Sequence, residues 1–366
     1  MSSDYDFSEL KRIIEINSYT KNKAGVDRIN DIYSEWMQTL GFNVHIHKRE
    51  DIGNHVHYTS AKTEGLKILL LGHQDTVFPQ GSFEQFNEDD EWIYGPGVCD
   101  MKGGNYIAIQ ALRNIKKTHG EIKNIDVLMV SDEETGSDDS KALSRELAKQ
   151  YDLCLVFEAA GKDHDVVIAR KGIATYHIEF EGKAAHAGNH YVEGLNANLA
   201  AAHVLIELTK LTDLAKGTTV NAGKMKGGIG ANTISPSASL VVEARFTQSD
   251  ERDRVLSAFP AICAAPFVEG VKVTLSGGLQ RDVMQPSEAQ AELVKQIEEI
   301  LGYQLILEKR GGVSDANVVS SVGCPTLDGW GPFGDGDHTV HERALKSSFV
   351  RREQEVTQIL DAFCPQ

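Results

Sequence analysis

Apolar residues recur at helical spacing through the first forty positions: Ile13 and Ile14, then Ile29, Ile32, Tyr33, Trp36, Met37 and Leu40. Gly41 stands where that helix should stop. From there strand-like and helical stretches take turns. KILLLGHQDTV (67–77), NIDVLMVSDEETG (124–136) and YDLCLVFEAAG (151–161) predict strands, and NYIAIQALRNIKKT (105–118) and KALSRELAKQ (141–150) predict helices. This rhythm points to an α/β fold with a mainly parallel sheet covered by helices.

The texture changes near residue 172. GIATYHIEFEG (172–182) and SASLVVEARF (237–246) alternate apolar and polar positions, and VKVTLSG (271–277) comes after them. Alternation means one wet face, hence antiparallel strands. With the helix NANLAAAHVLIELTKL (196–211) among them, they predict a small α+β, ferredoxin-like module inserted into the larger domain. The expected organisation is a catalytic domain over 1–171 and 283–366 and an inserted module over 172–282. The helix patterns AELVKQIEEILG (291–302) and SSFVRREQEVTQILDAF (347–363) belong to the resumed first domain.

The 366 residues suit two domains better than one core. A net charge of −16 repels phosphate backbones and anionic membranes, which argues against nucleic-acid or membrane partners. The N-terminal stretch lacks a basic-then-apolar secretion pattern. Cys99, Cys154, Cys263, Cys324 and Cys364 are odd in number and form no CxxC pair. They read as reduced thiols, and the expected location is the cytoplasm.

The chemistry gathers where strands end. LLL runs into His73 and Asp75, VLMVSD into Glu133 and Glu134, and CLVF into Glu158. YGPGVCDMKGG places Asp100 where a helix begins. Each alone could be a cap or a solvated loop. Together, on the rim where open parallel sheets bind ligands, converging carboxylates and a histidine call for a divalent counter-charge. His73 and Asp75 share one side of an extended segment, which suits a ligand and the carboxylate that orients it.

GHQDT, GPGVCDMKGG, SDEETGS and the FE of LVFEAAG resemble, in order and over nearly the whole chain, the co-catalytic zinc exopeptidases. Bacterial glutamate carboxypeptidases, acetylornithine deacetylases, succinyl-diaminopimelate desuccinylases and aminoacylases typify that family. The resemblance implies two divalent metal ions, zinc foremost and cobalt or manganese as alternatives. His73 and Glu158 would hold one, Glu134 the other, and Asp100 would bridge them. Glu133 would be the general base and Asp75 would orient His73. GPFGDGDHTVHERA offers His338 and His341 for the remaining ligand; the family places its ligand histidine four residues before a glutamate, so by the resemblance Glu342 selects His338. A cis peptide between Asp100 and Met101 is also implied.

In the insert, EGKAAHAGNHYVEGLNA matches the family's histidine segment, making His186 the residue that steadies the carbonyl oxygen from the partner subunit. His190 and His203 read as structural. Asn232, Arg281, Gly312 and Ser314 match substrate-binding positions, with Arg281 holding a free carboxylate. The resemblance further implies a homodimer formed through the insert. Its substrate would be a small peptide or an N-acyl amino acid, cleaved next to a C-terminal amino acid. An N-acyl amino acid deacylase is the alternative.

Overall fold

The structure is a computed structural model that describes residues 5–364. These fall into two compact units, one of residues 5–169, 286–310 and 314–364, the other of residues 170–285 and 311–313.

The first unit is built on a six-stranded sheet in the order Asn43–His47, His55–Thr59, Ile125–Val130, Ile68–His73, Leu153–Val156, Thr326–Leu327. The last four run parallel to one another, and the first two are antiparallel. Ile68–His73 and Ile125–Val130 are buried along their whole length, as apolar runs covered on both faces must be. Helices Lys23–Leu40, Lys102–His119, Glu288–Leu301 and Lys346–Phe363 close the core around Tyr33, Ile107, Leu112, Trp330 and Phe349. Gly41 ends the Lys23–Leu40 helix at a φ of 95°, a left-handed turn that glycine makes without strain.

Two features of this unit set up the site. Ile125–Val130, Ile68–His73 and Leu153–Val156 are neighbours, so their carboxyl ends open on one rim. A second, four-stranded sheet pairs Arg343–Leu345 with Trp92–Tyr94 and with Gly334–Asp335, drawing the loop after residue 94 beside the loop before residue 343.

The second unit is an antiparallel sheet of Thr219–Gly227, Ser237–Phe246, Gly172–Glu181 and Lys272–Arg281, in that order. Ala197–Thr209 and Ser249–Ala264 pack on it over Tyr176, Ile178, Phe180, Leu240, Val242 and Phe259. The Tyr176 and Phe259 rings stack with centroids 4.2 Å apart. The apolar alternation does not announce Thr219–Gly227. It is an edge strand, TVNAGKMKG, with Val220 its buried side chain, and the ladder to Ser237–Phe246 holds it through backbone bonds.

Candidate metal centre

His73 is the last residue of its strand and is fully buried. Met101 Sδ lies 3.3 Å from its backbone nitrogen, and Asn105 Nδ2 donates to its carbonyl at 2.6 Å, which fixes the main chain. Its ring is 3.0 Å from the backbone carbonyl of Asp75 through Nδ1. A proton on Nδ1 donated there leaves the Nε2 lone pair facing the rim.

Asp75 also reaches the neighbouring strand end. Its carboxylate, 3.5 Å from His73 Nδ1, accepts the backbone N–H groups of Glu133 and Glu134 at 3.3 Å each and the Thr20 hydroxyl at 2.7 Å. One buried carboxylate thus pins the turn Glu133–Thr135 to the end of the neighbouring strand.

Asp100 sits between two groups of donors. Its Oδ1 is 3.0 Å from His73 Nε2, and the same nitrogen is 3.7 Å from Glu158 Oε1. Its Oδ2 is 3.3 Å from His338 Nε2, which is 3.1 Å from Glu134 Oε2. Donor atoms of His73, Asp100 and Glu134 all lie within 4.8 Å of one another. His338 reaches in from a backbone φ of 61°, a left-handed conformation uncommon outside glycine. Among the described residues, His338 rather than His341 brings its ring to these carboxylates.

The charges explain themselves by mutual proximity. Burial and the neighbouring Asp100 charge push Glu134 up to about 8, and the same causes raise Glu158 well above the carboxylate range. Glu133 adds to both by repulsion. Burial also opposes ionisation of Asp100, but hydrogen bonds from His338 and His73 outweigh it and hold its carboxyl far below the usual range. Hydrogen bonds to Asp100 and Glu134 raise His338 to about 11. Burial works against a charged His73, yet the surrounding carboxylates raise it too. Carboxylates crowded this closely bind positive charge, and imidazole with carboxylate oxygen is a donor set suited to zinc, cobalt or manganese.

The loop carrying Asp100 is held by Glu342, whose place in the sequence served only to mark His338. Glu342, buried, accepts the N–H groups of Gly97, Cys99 and Asp100 at 3.0, 3.0 and 3.1 Å. The Asp100–Met101 peptide is cis, as the family resemblance implies. Behind it the fully buried Lys102 donates to the carbonyls of Ile13 and Ile16 at 3.1 and 3.0 Å, and burial lowers its pKa to about 7. The helix that begins there carries glycines because it lies against backbone. A Cβ on Gly104 would stand 1.9 Å from the Phe157 carbonyl, one residue before Glu158. Thr20, Asn105 and Glu342 had no signal of their own in the sequence, since each is placed by partners distant along the chain, main-chain groups for the most part.

The remaining expected site residues are spread over both units. Ser314 is the buried N-cap of helix Asp315–Ser320; its hydroxyl donates to Asp328 at 2.8 Å and its N–H to Asn317 at 3.0 Å. In the second unit His186 is exposed, with Nδ1 accepting the N–H groups of Gly188 and Asn189 at 3.1 Å each. Asn232 is exposed and its backbone carbonyl accepts the Ala187 N–H at 2.9 Å. Arg281 ends the Lys272–Arg281 strand at 2 % exposure, in register with Ile173. The Gly312 carbonyl accepts from Arg170 at 3.2 Å.

Comparison with known proteins adds to this picture. The model of peptidase family M20/M25/M40 matches residues 69–362. Carboxypeptidase G2 of Pseudomonas sp. (strain RS-16) is 28% identical over 356 residues, covering 94% of this chain and 85% of that protein. Acetylornithine deacetylase of Edwardsiella ictaluri is 25% identical over 389 residues, covering 97% and 96%. Among solved structures, aminopeptidase PepT from Bacillus cereus superposes with a TM-score of 0.80 at 23% identity, covering 96% of each chain.

Proposed function

The chain belongs to peptidase family M20/M25/M40 and is a hydrolase of that family; we propose that it cleaves the amide bond next to a C-terminal amino acid, in the manner of a carboxypeptidase. The observation that carries this is Asp100, whose two oxygens each face a separate histidine–carboxylate pair. That is a donor arrangement for two divalent ions sharing one bridging carboxylate, with zinc foremost and cobalt or manganese as alternatives. Bound there, the two ions would polarise the scissile carbonyl and lower the pKa of the attacking water.

Each residue has its own part. His73 and Glu158 would hold one ion, His338 and Glu134 the other. Glu133 takes the proton of the attacking water and hands it to the leaving amine. Asp75 holds the His73 ring and the Glu133–Glu134 turn in one position. His186 steadies the developing oxyanion from the partner subunit. Asn232 and Arg281 receive the substrate carboxylate, and Gly312 and Ser314 shape the loop beside it. Exposed Leu199, Ile206, Met225 and Ile229 on the second unit support a homodimer through that unit. All five cysteines are buried and unbridged, which supports a reducing, cytoplasmic setting. Among the described residues no helix is long and apolar enough to cross a membrane.

A second reading, an N-acyl amino acid deacylase, is favoured by the deacetylase relative and needs the same centre. Hydrolysis of dipeptides, tripeptides, folyl-type glutamates and N-acetyl amino acids, each as free acid and C-terminal amide, separates the readings. Peptidyl and folyl free acids should be cleaved and their amides should be inert. Cleavage restricted to N-acetyl amino acids gives the deacylase reading; tripeptides cut at the amino end regardless of amidation would overturn both.

A further inference from the structure

A second group of imidazoles lies on the hairpin at the sheet edge, two strands away from the strand that carries His73. Asn43–His47 reads NVHIH and His55–Thr59 reads HVHYT. Their antiparallel register sets His45 opposite His57 and His47 opposite His55. Residues two apart on a strand, and residues directly opposite across a ladder, point to the same side, so all four rings share one face. The His45 and His57 rings have centroids 6.0 Å apart.

Hydrogen bonds decide which nitrogens remain for a ligand. Tyr151 donates its hydroxyl proton to Asp126 at 2.6 Å, so its oxygen accepts from His57 Nε2 at 2.9 Å. His57 therefore carries its proton on Nε2 and its lone pair on Nδ1. His55 has both nitrogens engaged, Nδ1 accepting from Ser131 N–H at 3.1 Å and Nε2 facing Asp139 at 2.9 Å. His45 uses Nε2 on the Thr59 hydroxyl at 2.9 Å. His47 Nε2 is buried with no hydrogen-bond partner, a costly state for a polar atom.

We propose that His45, His47 and His57 form a binding site for one divalent transition-metal ion of the imidazole-preferring kind, zinc foremost. The register supplies the spacing, since cross-strand neighbours stand about 5 Å apart and diagonal ones about 7–8 Å, within reach of imidazole side chains after rotation. Thr59 behind His45, and the Tyr151–Asp126 pair behind His57, hold the rings by their outer nitrogens as partners of metal-bound histidines do. His55, tied to Asp139 and Ser131, stays a fixed neighbour.

The test counts metal in the full chain. Protein stripped with a chelator is dialysed against micromolar free zinc and the bound zinc measured by mass spectrometry. His45→Gln and His47→Gln should each hold one zinc fewer per chain than wild type while hydrolysing substrate at the wild-type rate. His190→Gln, an exposed histidine elsewhere, should match wild type. Glu134→Gln should lose zinc from the other centre and still show the decrement when His45→Gln is added, so the two assignments fail or stand separately. Equal zinc in wild type and both hairpin variants would overturn the site, and so would an equal loss in His190→Gln.

Discussion

In the proposed reaction, Asp75 and Glu133 divide the work of the rim at the scale of single residues. Asp75 touches both the histidine ring and the turn bearing the proposed base, so its loss should be felt twice. Asp75→Asn keeps the volume but removes charge and acceptor capacity opposite two N–H groups and a hydroxyl. Metal affinity, read by chelator competition, should fall about 10–100-fold, the usual cost of losing an outer partner of a ligand. Glu133→Gln is expected to behave differently. Metal content should stay at the wild-type level while kcat falls roughly 10²–10⁴-fold, because an amide takes no proton from water. Glu134→Gln should lose metal instead; equal loss of metal in the two variants would mean the roles are misassigned. The polar residues themselves were legible, because a charged group ending an apolar strand stands out against its run. Glu342, Thr20 and Asn105 were not, because what they grip lies far off in the chain and, for Glu342 and Asn105, is backbone that any residue type would present.

Elements are legible or hidden according to what surrounds them. The parallel strands around His73 are buried on both faces and announce themselves as apolar runs, and the helices by their spacing. Thr219–Gly227 and Asn43–His47 stayed hidden, since an edge strand draws its order from a neighbour's ladder and tolerates polar side chains on both faces. Packing against main chain gives a direct test of the helix behind the rim. Gly104→Ala should cost about 1–3 kcal/mol in urea unfolding, as overpacking does, because the added methyl meets the Phe157 carbonyl. The C-terminal helix is held otherwise. Arg352, fully buried, donates to Glu355 at 2.6 Å and to the carbonyls of His164 and Gly329 at 2.8 and 3.0 Å, with its guanidinium over Trp330. Arg352→Met should lower stability by about 3–5 kcal/mol, the cost of leaving a buried partner charge uncompensated. In the second unit Glu251 is held at about 2, below its ordinary 4.5, by Arg254, with Lys216 and Thr218 adding to the effect against burial. A depressed carboxyl pKa contributes stability above the unfolded value that disappears as pH falls through the folded one. The wild-type urea midpoint should therefore drop more steeply between about pH 4.5 and 2 than that of Glu251→Gln.

For the whole molecule, the assembly proposed through the second unit makes one prediction that no monomer meets. His186→Ala keeps the base and lacks the oxyanion donor; Glu133→Gln keeps the donor and lacks the base. In a mixed dimer one site receives both from different chains. With random pairing, roughly a quarter of wild-type activity should return when the two inactive variants are refolded together. Heterodimers as inactive as their parents would show that His186 does not act across the interface.

The clamp of Glu342 on the Gly97–Asp100 loop ties together positions up to 245 residues apart. Closing a loop of that length costs about 5 kcal/mol of chain entropy before any contact offsets it. His73, Asp100, Glu134 and Glu158 all lie within the first 158 residues of the sequence, while His338 and Glu342 follow much later. If His338 is the proposed ligand, activity should therefore lag behind synthesis of the first four donors. Ribosome-stalled chains ending before His338 should be inert even with the other proposed donors in place.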